Sequence, residues 1–331
     1  MTDAVPVPVP PARRSVKAWL LTGLKVVVSI GLIAFILSNL DIESAFDKLT
    51  DVSPFALVIA CLLIFLQLAA ISMRWTVMIR MLGLLLPART ALRLNMEGLF
   101  FNMGLPSVVG GDAIRIYRVR RYGMKTAQSA ASVLLDRGYG MVGLLLLALF
   151  GLPVSFGYIA DPAARFGLLA LIGGGLAGFV VFLLLDLLPL AWRRWRVVAG
   201  IAGLSGAARR VLKRPKLAVR VLPLSLLGQS LMVGAVYVIA VGLDVSITYI
   251  DCLAIVPVVF LISIAPITIG GWGLREQAMV TGFSFLGVPA AEAFATSLLF
   301  GLCMMVISLP GGILWLMASR KIDAPATERT E

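Results

Sequence analysis

Long apolar stretches alternate with short polar segments along almost the whole chain. An α-helix needs about 20 predominantly apolar residues to cross the roughly 30 Å hydrocarbon core of a membrane, and it satisfies its own backbone hydrogen bonds there. The pattern predicts six membrane-spanning helices, at about 18–38, 54–73, 133–153, 166–189, 218–243 and 292–318. The hydrophobic pattern therefore predicts an all-α polytopic membrane protein with both termini on one side.

The charged residues between these stretches predict the orientation of the chain. The segment 39–53 carries four acidic residues and one lysine. The segments rich in Arg and Lys are 74–93, 115–125 and 191–220. Positive segments stay on the cytoplasmic side of a membrane. Both termini are therefore expected in the cytoplasm.

A single transmembrane domain at 16–320 is expected to account for nearly the whole chain. The segment 1–15 is Pro-rich and has no periodicity, so it is expected to be a disordered cytoplasmic tail, and 321–331 is expected to be a second one. The first apolar run, at 18–38, lacks a small-residue cleavage signature and is expected to remain as an anchor.

Two further regions, 88–125 and 248–289, fit no simple span. The first contains RTALRLNMEGLFFNMGL, which is too polar to face lipid, and basic clusters flank the region on both sides. The second contains CLAIVPVVFLISIAP and EQAMVTGFSFLGV, which are too short to cross, at roughly 20 Å of helix each. We expect two re-entrant hairpins, the first entering from the cytoplasm and the second from outside. Two tilted crossings, which would give eight spans, are the alternative.

One sequence phrase occurs in both of these regions. Residues 106–115 read PSVVGGDAIR and residues 266–275 read PITIGGWGLR, so Pro, Gly-Gly and Arg recur at an offset of 160 residues. The same offset relates the early spans to the later ones. Because the first span runs outward and its counterpart runs inward, the halves 16–160 and 161–320 are expected to form an inverted repeat. Many secondary transporters have this arrangement, with sites at interrupted helices.

Composition excludes several functions. Hydrophobic residues make up 60% of the chain and charged residues 14%, unlike a soluble domain. The formal charge of +12 comes from short clusters between apolar spans, a pattern that sets orientation rather than nucleic-acid binding. The chain has no histidine, which excludes Ser-His or Cys-His catalysis and HExxH zinc sites, and its three cysteines have no CxxC spacing. No metal or cofactor is expected.

The repeated phrase predicts an anion-binding site. Pro and Gly-Gly interrupt a helix, and a helix that restarts after them exposes backbone N–H groups and the positive end of its dipole. The glycines concerned are Gly110, Gly111, Gly270 and Gly271. Arg115 and Arg275 are expected in the first turns of the restarted helices, where a guanidinium group matches a pair of phosphate oxygens. Asp112 is expected as the N-cap of the first of these helices.

Other charged residues are expected to support this site. They are Glu97, Asp136, Arg137 and Glu276. A charge at membrane depth costs about 2.5 to 3.5 kcal/mol on insertion scales and is usually tied to function. Asp136 and Arg137 are adjacent on a helix and cannot face one another, so each needs a partner elsewhere. In a purely structural alternative, the glycines permit close packing and the arginines pair with Glu97, Asp112 or Glu276.

Three segments of the chain resemble a known family. GLPSVVGGDAIRIYRVRR, AASVLLDRGYGMVGLLLL and SIAPITIGGWGLREQAMV are similar to signature segments of the flippase-like, lysylphosphatidylglycerol synthase transmembrane-domain family, and the likeness covers about residues 15–320. The resemblance implies a bacterial inner-membrane protein that moves or handles lipids. It puts the family's polar motif positions at Asp112, Arg115, Asp136, Arg137, Arg275 and Glu276. Full-length synthases carry a soluble transferase domain after the membrane part, whereas KIDAPATERTE follows Arg320 here, so lysyl transfer is not expected.

These observations predict lipid translocation without enzymatic activity. The expected cargo is a phosphate-bearing membrane lipid, anionic or linked to a polyprenyl phosphate. One alternative is an intramembrane glycosyltransferase with a polyprenyl-phosphate donor, in which Asp41 and Glu43 act as metal ligands or base. Another alternative is a scaffold for enzymes of envelope lipid synthesis. Nucleic acid is not an expected partner.

Overall fold

The computed structural model of the protein describes residues 52–104, 110–187, 195–265, 268 and 271–320, and three single helical positions at 27, 31 and 34. Every regular element in these residues is helical. The α-helices are α1 (Pro54–Met81), α2 (Ala88–Gly104), α3 (Gly110–Arg121), α4 (Thr126–Tyr158), α5 (Pro162–Leu184), α6 (Arg196–Lys213), α7 (Pro215–Gly242), α8 (Tyr249–Ser263), α9 (Leu274–Ser284) and α10 (Ala290–Arg320). A 3-10 turn at Leu185–Leu187 extends α5.

Five of the described helices are long and apolar enough to cross a membrane: α1, α4, α5 with its 3-10 turn, α7 and α10. They lie at five of the six predicted spans. The first predicted span, 18–38, lies outside the described residues apart from the three single positions, and so do the predicted tails at 1–15 and 321–331. The chain is thus a multi-pass α-helical membrane protein, and the total of six spans remains a prediction.

Helices α1 and α4 are longer than the hydrophobic pattern predicted. Helix α1 continues beyond residue 73 to Met81, and α4 begins at Thr126 rather than at about 133. Both added turns contain buried polar residues, and Trp75 in one of them donates from Nε1 to the hydroxyl of Ser132 in the other, at 3.3 Å. Hydropathy locates only the part of a helix that is compatible with lipid. Polar turns that pack against protein extend the helix beyond that part.

Two pairs of shorter helices occupy the regions predicted as re-entrant hairpins. They are α2 with α3, here the first hairpin, and α8 with α9, here the second hairpin. These helices contain 17, 12, 15 and 11 residues, or about 26 Å of helix at most against a core of roughly 30 Å. The lengths favour hairpins over full crossings, and membrane insertion of the hairpins remains a prediction. The connecting residues 105–109, 266–267 and 269–270 lie outside the described part of the chain.

Helices α1 and α7 form an antiparallel pair. Ser53, just before α1, donates its backbone N–H to the carbonyl of Gly242 at the end of α7, at 3.0 Å. An apolar core that includes Ile64, Ile239 and Phe300 joins this pair to α8, α9 and α10. An inverted repeat requires this antiparallel arrangement, because α1 and α7 occupy corresponding positions in the two halves.

The first helix of each hairpin packs against the long helix α4 or α10 of the other half. Gly151 on α4 contacts the backbone of Ala254 on α8, and Gly311 on α10 contacts the backbone of Met96 on α2. A Cβ atom at either glycine would overlap the facing backbone atoms, so only glycine allows these helices to approach so closely. Gly151 and Gly311 are separated by the same 160 residues as the repeated phrases.

Candidate functional site

The first repeated phrase leads into α3, which begins at Gly110. Gly111 donates its backbone N–H to the side-chain oxygen of Asn102 at 2.9 Å. The expected N-cap role of Asp112 is wrong, because α3 begins two residues earlier and Asp112 lies inside its first turn. Arg115 consequently lies in the second turn of α3 rather than in the first. Asn102 on α2 thus supplies an acceptor for the start of α3.

The second repeated phrase interrupts the helix for longer than the first. Gly271 and Gly273 have φ angles of 82° and 85°, which glycine adopts readily, and α9 begins only at Leu274. Glu276 accepts the Gly273 N–H with Oε2 at 2.6 Å. Arg275 lies in the first turn of α9, as predicted. Gly270, expected to take part in anion binding, lies outside the described residues.

Asp136 on α4 binds two buried arginines. Its Oδ1 accepts from Nε of Arg74 at 2.9 Å, and its Oδ2 accepts from Nη2 of Arg115 at 2.8 Å. Asp136 is only 3% exposed. The guanidinium of Arg115 also lies over the ring of Trp75, 4.1 Å from the ring centroid. Ion pairing and stacking therefore fix the orientation of Arg115.

Arg137 has a different partner from its neighbour Asp136. It forms an ion pair with Asp112, which also lies 3.7 Å from Arg115. The side chain of Arg137 is 41% exposed, so its guanidinium stays accessible while it is paired. The expectation that Asp136 and Arg137 have separate partners is confirmed.

Glu97 lies near the middle of α2 and borders the base of the first hairpin, which we define as the first half of α2 and the end of α3. It is fully buried, and its two oxygens lie 3.1 Å from Nε of Arg93 and 2.8 Å from Nε of Arg118. Arg93 also donates to the carbonyl of Leu314 on α10 at 3.2 Å. Glu97 therefore holds the two helices of the hairpin together beside the end of α10.

Arg275 in the second hairpin resembles Arg115 in its surroundings. Its Nε donates to Oε1 of Glu276 at 3.0 Å and to the hydroxyl of Ser297 at 3.2 Å. Its guanidinium lies 4.8 Å from the ring centroid of Trp272. Each of the two repeated arginines thus combines a carboxylate partner with a tryptophan ring. The purely structural alternative is correct in that Arg115 pairs with Asp112, and Arg275 pairs with Glu276.

A cavity of about 330 Å³ lies between the two hairpins, and we call it the central cavity. Its polar wall includes Asn102, Arg137, Gln229, Gly271 and Arg275, contributed by both halves of the chain, and most of the remaining wall is apolar. Arg115 is not part of this wall and lies behind it, bound to Asp136. The structure therefore brings Arg137 and Arg275, rather than Arg115 and Arg275, to one accessible space.

The segment 23–311 contains both hairpins and the whole central cavity, and it matches the family described as the lysylphosphatidylglycerol synthase TM region. The chain belongs to this family. The match confirms the resemblance of the three signature segments. A UPF0104 membrane protein of Methanothermobacter thermautotrophicus is 26% identical over 302 residues, which cover 82% of this chain and 86% of the relative.

In this member of the lysylphosphatidylglycerol synthase TM region family, the ion pairs around the first hairpin contain more positive than negative charge. Five arginines and three carboxylates take part, which leaves two positive charges in excess. They are Arg74, Arg93, Arg115, Arg118 and Arg137, with Glu97, Asp112 and Asp136. The side chains of Arg93 and Arg137 are 39% and 41% exposed, so the excess lies on partly exposed arginines while the buried charges balance. These two guanidinium groups are the ones that an anionic ligand could reach.

Arg74, Arg118 and Gln229 were not predicted as site residues. The sequence analysis interpreted the positive segments only as determinants of membrane orientation, and both Arg74 and Arg118 belong to such segments. A sequence signal exists for Arg118, because it lies three residues after Arg115 and hence on the same helix face. Arg74 and Gln229 could be recognised as site residues only by knowing which helices are neighbours.

The described part of the chain holds no group of three or more Cys, Asp or Glu side chains that could bind a metal ion. Asp41 and Glu43, the residues on which the glycosyltransferase alternative depends, lie outside the described residues. The family match itself concerns a membrane region.

Proposed function

We propose that the protein binds the phosphate-bearing headgroup of a membrane lipid in the central cavity and moves that lipid between the two leaflets. The observation that carries the proposal is that Arg137 and Arg275, one from each half, line a single cavity. Two guanidinium groups can bind several oxygens of one phosphate group. The cargo is an anionic phospholipid or a lipid linked to a polyprenyl phosphate, because the charged residues of the cavity wall, Arg137 and Arg275, are both positive.

The carboxylates beside the cavity have a role in this proposal. Arg137 pairs with Asp112, and Arg275 pairs with Glu276. A phosphate that enters the cavity competes with these carboxylates for the same N–H groups. An exchange of this kind lets the headgroup bind and leave while each guanidinium always has a counter-charge, which avoids the several kcal/mol that an unpaired buried charge costs.

The reciprocal packing of the two halves supports access from both sides. Because α4 packs against α8 and α10 packs against α2, a tilt of one half moves parts of both hairpins. In transporters with inverted repeats, such motions open a central site first to one face and then to the other. The central cavity lies between the hairpins, so this motion would change which face of the membrane the cavity opens to.

Proteoliposomes that contain fluorescent phosphatidylglycerol test the proposal. The wild-type protein should move this lipid between leaflets faster than fluorescent phosphatidylcholine. Arg137→Gln and Arg275→Gln should each slow translocation about tenfold or more, since a hydrogen bond to a charged group contributes about 1.5–3 kcal/mol. Arg120→Gln, an exposed position on α3 outside the cavity, is the matched control and should retain the wild-type rate. Unchanged translocation in both cavity variants would contradict the proposal.

A further inference from the structure

A second polar pocket lies at the base of the first hairpin, and we call it the base pocket. Its volume is about 160 Å³, and its wall consists of Arg93, Leu94, Glu97, Arg118, Arg121 and Tyr122. These residues do not overlap with those that line the central cavity. Three guanidinium groups and one carboxylate give this wall two positive charges in excess.

Arg118 is the most deeply buried arginine of the base pocket. It is 9% exposed, and its Nε lies 2.8 Å from a carboxylate oxygen of Glu97. Its Nη2 is buried and has no hydrogen-bond partner among the described residues. Leaving such a donor unsatisfied is costly. The arginines beside it carry only donors, so an acceptor from a bound ligand is the partner that fits.

The outer wall of the pocket is open to a ligand. The side chain of Arg93 is 39% exposed, and both Arg121 and Tyr122 are exposed. Arg121 forms no ion pair in the described part of the chain, and its guanidinium lies 5.8 Å from the ring centroid of Tyr117. An anion can therefore reach Arg118 without separating α2 from α3.

The arginines of α3 form a row that begins at this pocket. Arg115, Arg118 and Arg121 are three residues apart, so they lie on one face of α3 at intervals of about 4.5 Å along its axis. Arg121 lies at the mouth of the base pocket and Arg118 lies within it. Arg115 lies deeper, near Asp112, whose other partner Arg137 lines the central cavity.

We propose that the base pocket binds a phosphate group as a site separate from the central cavity, through Arg93, Arg118, Arg121 and the Tyr122 hydroxyl. Its volume accommodates a tetrahedral phosphate but no acyl chain. The phosphate belongs either to the headgroup of a neighbouring lipid or to free phosphate at the face predicted to be cytoplasmic. Binding at this pocket does not depend on lipid translocation by the protein.

Two probes tested on the purified full chain address this proposal. Inorganic phosphate is titrated by calorimetry, and dioleoylphosphatidylglycerol is counted as molecules bound per chain by native mass spectrometry. Arg121→Gln removes an exposed pocket charge. The double substitution Glu97→Gln with Arg118→Gln replaces a buried ion pair by a neutral pair. Each altered protein should bind at least one probe about tenfold more weakly, because charge-assisted hydrogen bonds are lost.

Arg120→Gln is the matched control, since Arg120 is adjacent to Arg121 but is not part of the pocket wall. Weaker phosphate binding in the two pocket variants, with normal binding in the control, supports a site for the phosphate group itself. Weaker lipid binding alone supports a headgroup site. An equal loss in Arg120→Gln, or wild-type binding of both probes by Arg121→Gln, would overturn the proposal. These experiments measure binding at equilibrium. A failure of translocation in proteoliposomes would therefore contradict the proposed transport function without contradicting the phosphate site in the base pocket.

Discussion

At the scale of single residues, Asp136 connects three helices. Its carboxylate accepts N–H groups from Arg74 on α1 and from Arg115 on α3, while Asp136 itself belongs to α4. Both arginines are at most 8% exposed. Neither can turn to water if the charge of Asp136 is removed, and Asp136 is the carboxylate that both of them bind at 2.8–2.9 Å.

Asp136→Asn should destabilise the protein by about 3–5 kcal/mol, because buried Arg74 loses its carboxylate partner and buried Arg115 keeps only the more distant Asp112, at 3.7 Å. The expected fall in Tm is on the order of 10 °C, measured by thermal unfolding in detergent. Asp244→Asn is the matched control, since Asp244 is exposed and has a φ of 59° that Asn also tolerates. A Tm for Asp136→Asn equal to that of the control protein would show that the arginines do not need this carboxylate.

Arg275→Lys should retain part of the translocation activity that Arg275→Gln loses. Lysine preserves the positive charge, but it has neither the planar fork for Glu276 and a phosphate nor the flat surface that stacks on Trp272. The rates of all three proteins are compared in proteoliposomes at equal reconstituted amounts. Equal rates for the Lys variant and the wild-type protein would mean that charge alone is sufficient at this position.

The sequence predicted some of these residue contacts and not others. The separate partners of Asp136 and Arg137 follow from helix geometry alone, because adjacent side chains on a helix point about 100° apart. The pairing of Arg74 with Asp136 could not be predicted, since a single sequence does not show that α1 and α4 are neighbours. The role of Arg115 and Arg275 in lipid binding stays a prediction. The structure does show that each of them has a carboxylate partner and a tryptophan ring beside it.

At the scale of helices, the crossing of α2 and α3 depends on Gly111. Its position in α3 leaves no space for a side chain, because a Cβ atom there would overlap the carbonyl oxygen of Gly98 and the side chain of Asn102. The two helices of the hairpin can therefore meet closely only with glycine at this point.

Gly111→Ala should separate α2 from α3 and lower stability by about 1–3 kcal/mol, the usual cost of inserting a methyl group into a packed site. It should also impair lipid translocation. Gly138→Ala on α4 is the control, because no atom lies within 4 Å of the Cβ position there. Thermal unfolding compares the two proteins, and similar Tm values would show that the crossing can adjust to the extra methyl group.

Helix positions were more predictable than helix ends. Apolar runs located α1 and α4, but Arg74 and Ser132 lie in buried polar turns that hydropathy assigns to the outside of a membrane. The second hairpin shows a different limit. Gly273 delays the start of α9 to Leu274 through its backbone conformation. The first phrase has Ala113 at the matching position, and the skeleton shared by the two phrases does not show the effect of this difference.

At the scale of the whole molecule, the predicted inverted repeat puts the open ends of the two hairpins on opposite faces of the membrane. In a protein without Cys61, Cys252 and Cys303, Tyr122→Cys should react with a membrane-impermeant thiol reagent only from the cytoplasmic face. Ser246→Cys should react only from outside, because an odd number of predicted spans lies between these two exposed positions. Intact spheroplasts and inverted vesicles give the two measurements. Labelling of both positions from one face would be incompatible with the inverted arrangement.

Positions nearer the hairpin tips are less suitable for this measurement. Ser107 lies outside the described residues, and Thr268 is fully buried. Reagent access to Thr268→Cys would therefore report local opening as well as topology. The sequence predicts the repeat because one phrase recurs at a constant offset. The reciprocal contacts of Gly151 and Gly311 were not predictable, since they join helices from different halves.

The contact between α2 and α10 has a consequence for biosynthesis. Arg93 and Leu314, which meet in this contact, are 221 residues apart in the chain. At about 5–20 residues per second, the ribosome completes α2 roughly 10 to 40 seconds before it completes α10. During that interval the face of the first hairpin that meets α10 has no protein surface to cover it. The final packing of this hairpin is therefore a late step of assembly, and a nascent chain that terminates before α10 should expose the uncovered face to membrane quality-control proteases.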